Sequence, residues 1–186
     1  MPRKLIGGLI QCGNPLNDES LPVARIKKAM FDKHVPLIEE AGKKGVQVLG
    51  LQEIFDGPYF CPSQDKRWYA AAETIPGPTT SIFQEIARKH GMVIVLPLYE
   101  EHMRGVYYNS AAVIDCGRVL GVYRKLHLPD IPFYKEPYYF SPGDAGLPVF
   151  EASRGRIGVQ ICWDNLFPEG SRILALRGAD IVFAPT

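Results

Sequence analysis

The run VQVLGL at residues 46–51 restricts the fold of this chain more than any other feature. It is nearly continuous in apolar character, with Gly45 before it and the polar pair Gln52 and Glu53 after it. A strand that alternates can leave one face wet, whereas a continuous one needs cover on both. The preceding segment supplies such cover. Between 22 and 44 the apolar residues Val23, Ile26, Met30, Leu37, Ile38 and Ala41 recur mostly at helical spacing, with Gly45 as a stop signal. Pro36 is a point at which that helix is expected to kink or divide. Helix followed by doubly buried strand is the βαβ pattern of an α/β fold.

The remaining periodicity extends it. Residues 5–12 read as a buried first strand. IPGPTTSIFQEIARKHG offers Thr79 or Thr80 as N-cap and Gly91 as C-cap, and MVIVLPLYE is the next strand. Residues 107–114 and 118–123, joined by Asp115, Cys116 and Gly117, form a hairpin, so the sheet is expected to be mixed. The stretch 126–148 is too rich in proline for a regular element and too aromatic for a solvated linker, which leaves an ordered functional loop. RIGVQIC at 156–162 reads as a strand, a helix follows from about 168 to 177, and DIVFAPT is a final strand. No linker, composition shift or repeat marks a boundary, so 1–186 is expected to be one domain. Its last strand is of a type normally covered by a further helix, and the chain is therefore expected to be the N-terminal portion of a longer domain.

Charge and cysteine usage narrow the function. With 21 Lys and Arg against 20 Asp and Glu there is no electrostatic footprint for nucleic acid or an anionic membrane, which leaves a small molecule as the expected partner. Cys12, Cys61, Cys116 and Cys162 are scattered, without a CxxC pair or a histidine cluster. Neither a zinc site nor a disulfide framework is expected, and a reducing, cytoplasmic setting is. The N-terminal stretch has one basic pair, Arg3 and Lys4, and a short apolar run broken by Gly and Gln, too little for a signal peptide or a spanning helix. A glycine-rich phosphate loop between strand and helix is missing, which argues against a nucleotide-binding domain. No cofactor and no metal are implied.

Three residues able to do chemistry stand at the ends of expected strands: Glu53, Lys125 and Cys162. In α/β sheets that edge is where ligands bind. A thiol, a carboxylate and an ammonium gathered there supply a nucleophile, a proton acceptor and an oxyanion stabiliser, the set that acyl transfer needs. A cysteine in a strand is more often plain core, and a lone Glu or Lys is more often a solvated end. Cys162 stands apart because Trp163, Asp164 and Asn165 follow before a helix opens, as in a strand–turn–helix nucleophile elbow. Both LQEIFDGPYF and YRKLHLP put the charged residue against a buried strand and follow it with residues that exclude water. Tyr59, Phe60, His127, Phe133, Tyr134 and Trp163 are candidate pocket walls, with core packing as the competing reading. For Asn109, in YYNSAA, a structural role within a strand is preferred.

The segments LQEIFDGPYF, YRKLHLPDIPFYKEPYYFSPGD and GVQICWDNLFPE, in this order and spacing, resemble the nitrilase superfamily of carbon-nitrogen hydrolases. The likeness is greatest to its N-carbamoylputrescine amidase and β-ureidopropionase branch. It implies a four-layer αββα sandwich, here incomplete at the C-terminus, and a catalytic set of Glu53, Lys125 and Cys162, with Glu136 as a second glutamate. A carbamoyl or amide substrate and a homo-oligomer are implied as well. An aliphatic amidase or nitrilase with the same triad, and a catalytically silent assembly module, are the alternatives.

Overall fold

A computed structural model of the chain describes residues 4–16 and 18–186; Arg3 of the N-terminal basic pair lies outside them. The first sheet runs in the order β1 (Gly7–Ile10), β2 (Val48–Leu51), β3 (Val93–Met103), β4 (Val106–Asp115), β5 (Arg118–Arg124). The pairs β1–β2 and β2–β3 are parallel, and the pairs β3–β4 and β4–β5 antiparallel. Successive side chains of a strand point to opposite faces, and this explains the continuous apolar runs. Leu49, Leu51, Ile94 and Leu96 meet helices α1 (Val23–Lys43) and α2 (Pro78–His90) through Ile38, Phe83 and Ile86. Val48, Val93 and Val95 on the reverse face meet a second, three-stranded sheet.

That second sheet has the order β10 (Ile181–Phe183), β9 (Gly155–Val159), β8 (Phe150–Ala152), and it presents Phe150, Ile157, Val159 and Phe183 to the first. Behind it lies α3 (Pro168–Leu176), packed so closely that a β-carbon on Gly158 would stand 3.1 Å from Leu174. The layers are thus helix, sheet, sheet, helix, the αββα sandwich that the motifs imply. A small hairpin of β6 (Asp130–Ile131) and β7 (Tyr134–Lys135) and a 3-10 turn Glu136–Tyr138 give order to the proline-rich stretch. A third apolar cluster, in which Phe60 stacks on Trp68 with centroids 5.1 Å apart, fastens the loop after β2 to Tyr139 and Phe140 of that stretch.

Several local expectations need correction. β1 is not buried: it is the edge of its sheet, and Leu9 is 81% exposed. α1 runs unbroken through Pro36, since Phe31, Val35 and Ile38 on both sides of it stay packed on the core. α2 is capped by Gly77 rather than Thr79 or Thr80: Pro78 opens the helix, and the Thr80 hydroxyl reaches back to the Gly77 N–H at 2.7 Å. β9 ends at Val159, so Cys162 does not end a strand; it opens a 3-10 turn, Cys162–Leu166. The β4–β5 turn is as expected, with Cys116 and Gly117 both at positive φ (47° and 95°), as a two-residue hairpin loop requires. Among the described residues no helix is long and apolar enough to cross a membrane.

Candidate active site

Glu53 leaves the first sheet two residues beyond the end of β2. The next residue, Ile54, is held at φ 44°, an unfavourable angle for a β-branched side chain, while that side chain is buried in the third cluster. Lys125 directly follows β5, and its N–H continues the ladder to the Asn109 carbonyl at 2.8 Å. Gly143 donates to the Lys125 carbonyl at 2.8 Å. A β-carbon there would come within 2.2 Å of the Arg124 carbonyl oxygen, which is why the PGD turn needs glycine to lie against this strand.

These backbones deliver a closed electrostatic cluster. The Lys125 ammonium, fully buried, donates to Glu53 Oε1 at 2.9 Å and to Glu136 Oε1 at 2.7 Å. Asn109 Nδ2 donates to the same Glu53 oxygen at 2.7 Å, and the Tyr59 hydroxyl to the same Glu136 oxygen at 2.8 Å. One oxygen of each carboxylate is therefore engaged twice. Glu136 Oε2 and Asn109 Oδ1 are buried without a partner. A buried acceptor left unpaired costs about 1–3 kcal/mol, so the cluster holds capacity for a donor from outside the chain.

Burial opposes the Lys125 ammonium, but the two carboxylates outweigh it and hold its pKa above the ordinary lysine value. Burial pushes Glu136 up to about 7 in spite of the pull of Lys125. Cys162 belongs to the same cluster. Burial, and then the charge of nearby Glu53, raise the thiol to about 11, with Lys125 acting against them. At neutral pH the sulfur rests as a thiol with a proton acceptor beside it.

The turn that carries it is strained as the elbow reading requires. Cys162 sits at φ 48°, with its N–H tied to the Pro185 carbonyl at 2.7 Å. Ile161 N–H donates to Asp164 Oδ2 at 3.0 Å and Asp164 N–H to the Ile161 carbonyl at 3.0 Å, closing the turn around Cys162 and Trp163. Among the described residues the Trp163 N–H makes no hydrogen bond, and so a backbone donor is left beside the sulfur.

The wall residues divide. Tyr59 is in the cluster through Glu136, and Tyr134, 41% exposed, lies 5.7 Å from its ring. Trp163 is partly exposed on the turn itself. His127 holds Asp164 Oδ1 through Nδ1 at 2.8 Å and stacks on Phe167 at 3.8 Å. Phe133 stands 75% exposed at the tip of the β6–β7 hairpin, at φ 69°, and is not brought to the cluster; Phe60 is in the core. Asn109 does more than support its strand, since it orients Glu53. Among the described residues no group of three or more His, Cys, Asp or Glu could hold a metal ion.

The comparisons agree with this fold. Residues 8–186 match the carbon-nitrogen hydrolase family. The chain is 45% identical over 152 residues to the N-carbamoylputrescine amidase of Solanum lycopersicum, a match covering 81% of this chain and 50% of that protein. To the citrullinase of Francisella tularensis it is 40% identical (80% and 52% covered), and to the β-ureidopropionase of Arabidopsis thaliana 37% (100% and 46%). It thus spans about half the length of the curated relatives it matches. A carbon-nitrogen hydrolase of Helicobacter pylori superposes with a TM-score of 0.84 at 33% identity, covering 97% of this chain and 59% of that one. A Nesterenkonia amidase whose active-site cysteine carries the acetamide moiety of fluoroacetamide superposes with a TM-score of 0.72 at 28% identity (86% and 59%). With the sandwich and a family match over residues 8–186 in agreement, the chain belongs to the carbon-nitrogen hydrolases.

Proposed function

We propose that this chain carries the reacting groups of an enzyme that hydrolyses a non-peptide C–N bond in an N-carbamoyl amine or N-carbamoyl amino acid, of the N-carbamoylputrescine kind. The observation that carries the reading is the Lys125 ammonium, fully buried between Glu53 and Glu136, with the Cys162 thiol beside Glu53. Because the thiol is raised, attack must be coupled to proton removal. Cys162 Sγ bonds to the carbonyl carbon while its proton passes to Glu53. The carbonyl oxygen, now an oxyanion, faces Lys125 Nζ and the Trp163 N–H, donors of a kind each worth about 2.7–4 kcal/mol in the transition state. Glu53 returns the proton to the nitrogen as the C–N bond breaks and the amine departs. A water then gives its proton to Glu53 as its oxygen attacks the carbon of the S-carbamoyl group on Cys162. The S–C bond breaks, the proton returns to sulfur, and the carbamic acid formed decomposes to carbon dioxide and ammonia.

Glu136 keeps the buried ammonium paired, and its free Oε2, with Asn109 Oδ1, suits the N–H groups of a ureido substrate. Tyr59, Tyr134, Trp163 and His127 form the pocket walls on this reading, with Phe133 joining them only if the hairpin closes. The branch is supported by the names of the relatives above. Four free thiols fit a reducing, cytoplasmic setting, and the exposed Leu166, Leu176 and Val182 fit a homo-oligomer. Ammonia release across carbamoyl amines, carbamoyl amino acids, simple amides and nitriles tests the reading. Turnover confined to carbamoyl compounds is expected, turnover confined to amides or nitriles would move the chain to an aliphatic amidase or nitrilase, and no covalent intermediate on Cys162 with any of them would leave a silent assembly module.

A further inference from the structure

We infer that Asp164, acting with Tyr123 and His127, is a positioning residue that fixes the nucleophile turn against the strand carrying Lys125; this rests on the reading under Proposed function. Its carboxylate is 1% exposed and accepts four hydrogen bonds. Oδ2 takes the Tyr123 hydroxyl at 2.6 Å and the Ile161 N–H at 3.0 Å. Oδ1 takes the His127 N–H at 2.9 Å and the His127 ring Nδ1 at 2.8 Å.

The placement of these donors gives the role. Ile161 immediately precedes the sulfur-bearing residue, and Asp164 also closes the turn from its own N–H. His127 lies two residues beyond Lys125, and Tyr123 two before it, on β5. One carboxylate therefore ties the turn after β9 to the first sheet at the point where thiol, ammonium and the Trp163 N–H must converge on one carbonyl group. A displacement of about 1 Å in such a group can lower a rate on the order of a hundredfold. Asparagine is a poor substitute. Its amide accepts on one side only, so its NH2 must confront either the Ile161 N–H or the His127 N–H, both fixed by backbone. Loosening either frees one of the two reacting segments from the other.

The test compares two thiol reagents on the chain and on Asp164→Asn, with modification of each cysteine followed by peptide mass. Iodoacetamide presents a carbonyl to the oxyanion donors, whereas methyl methanethiosulfonate has none. The expected result is a loss of at least about tenfold in the iodoacetamide rate at Cys162, with a much smaller change for the second reagent and Cys61, which is buried, still protected. Equal rates in both proteins, or equal loss with both reagents, would overturn the inference while leaving the proposed reaction standing. Should Cys162 of the unaltered chain react with iodoacetamide no faster than the exposed Cys116, the proposed reaction itself fails, and the inference with it. If Asp164→Asn exposes Cys61, Tyr123→Phe decides. It deletes one bond to Oδ2 and leaves the backbone donors paired, and it should give the same selective loss, about two- to fivefold; an unchanged ratio of the two rates overturns the inference.

Discussion

Two lysines in this molecule, Lys125 fully buried and Lys27 partly so, each lie between two carboxylates, and only Lys125 has a thiol close to its pair. Lys27, on α1, meets Asp56 Oδ2 at 2.9 Å and Glu73 Oε1 at 2.8 Å, and places a further proton on the Ala71 carbonyl at 2.8 Å. Lys125 meets Glu53 and Glu136 at nearly the same distances. The loop after β2 feeds both, with Glu53 and Asp56 three residues apart. What differs is what stands beside each. Glu73 uses both oxygens at the start of α2, on the Thr79 N–H at 2.7 Å and on the Thr79 hydroxyl, so the cluster closes on the helix as a staple among α1, the loop and α2. Each cluster leaves buried acceptors without a hydrogen bond, Asp56 Oδ2 in the first and Glu136 Oε2 and Asn109 Oδ1 in the second, but only the second has a thiol at its side. Residue types alone do not separate a staple from a site; unused hydrogen-bonding capacity next to a nucleophile does.

The sharpest way to break this comparison is to remove the nucleophile. Cys162→Ala or Cys162→Ser should abolish turnover and the covalent intermediate, seen by intact mass, while thermal unfolding stays unchanged; full activity in either variant removes the mechanism. Glu53→Gln should come close to it, with a loss on the order of 10²–10⁴ in acylation rate, because the raised thiol then has no acceptor for its proton. A second signature belongs to the same residue. Without a base, alkylation of Cys162 should climb tenfold per pH unit up to a thiol pKa lower than the about 11 that the Glu53 charge helps to set, whereas with Glu53 in place it should rise far less steeply near neutrality.

The staple should fail differently. Lys27→Met leaves two carboxylates without their cation, and breaking a buried pair costs about 3–5 kcal/mol. Denaturant unfolding should show a loss of that order, with Cys162 alkylation retained in the folded protein. Lys125→Met should lose acylation as well as stability. If Lys27→Met silences Cys162 without loosening the fold, the distinction drawn between the two clusters is wrong.

Much of this was legible in the chain before its coordinates. VQVLGL showed burial on both faces because the same alternation that hides Leu49 from water on one side hides Val48 on the other. Glu53, Lys125 and Cys162 stood out because each charged or nucleophilic group abuts such a run. The second sheet was less legible, since β8 and β10 are three residues each and carry little period of their own; the layer order came from the motif resemblance. An edge strand and a buried one can have the same apolar content, which is why the composition of β1 does not show that it lies at the edge. The roles of Asn109 and Asp164 were hidden for a different reason: their partners are 56 and 37–41 residues distant, beyond any local pattern. An acid closing a turn two residues after a strand-like run was the only trace of the second.

The comparison has its finest test in the pH dependence of stability. Glu136 is raised to about 7 in the folded chain from an ordinary value of 4.5, so between those two values the native state holds a proton that the unfolded chain has released. Stability therefore falls as pH rises through this window, the reverse of what a salt-bridged carboxylate with a lowered pKa would give. Glu136→Gln cannot release that proton. Its unfolding free energy should be flatter over the same window, the difference between the two proteins amounting to no more than about 3 kcal/mol at its upper end. Asp56 is pushed up by burial in the same direction, so the staple adds a slope of its own, and that slope should persist in Glu136→Gln and be altered in Asp56→Asn. Parallel curves for Glu136→Gln and the unaltered chain would mean that Lys125 holds Glu136 ionised throughout. The orphaned Oε2 would then be a fixed anionic acceptor for a substrate N–H, rather than a carboxyl that carries its own proton.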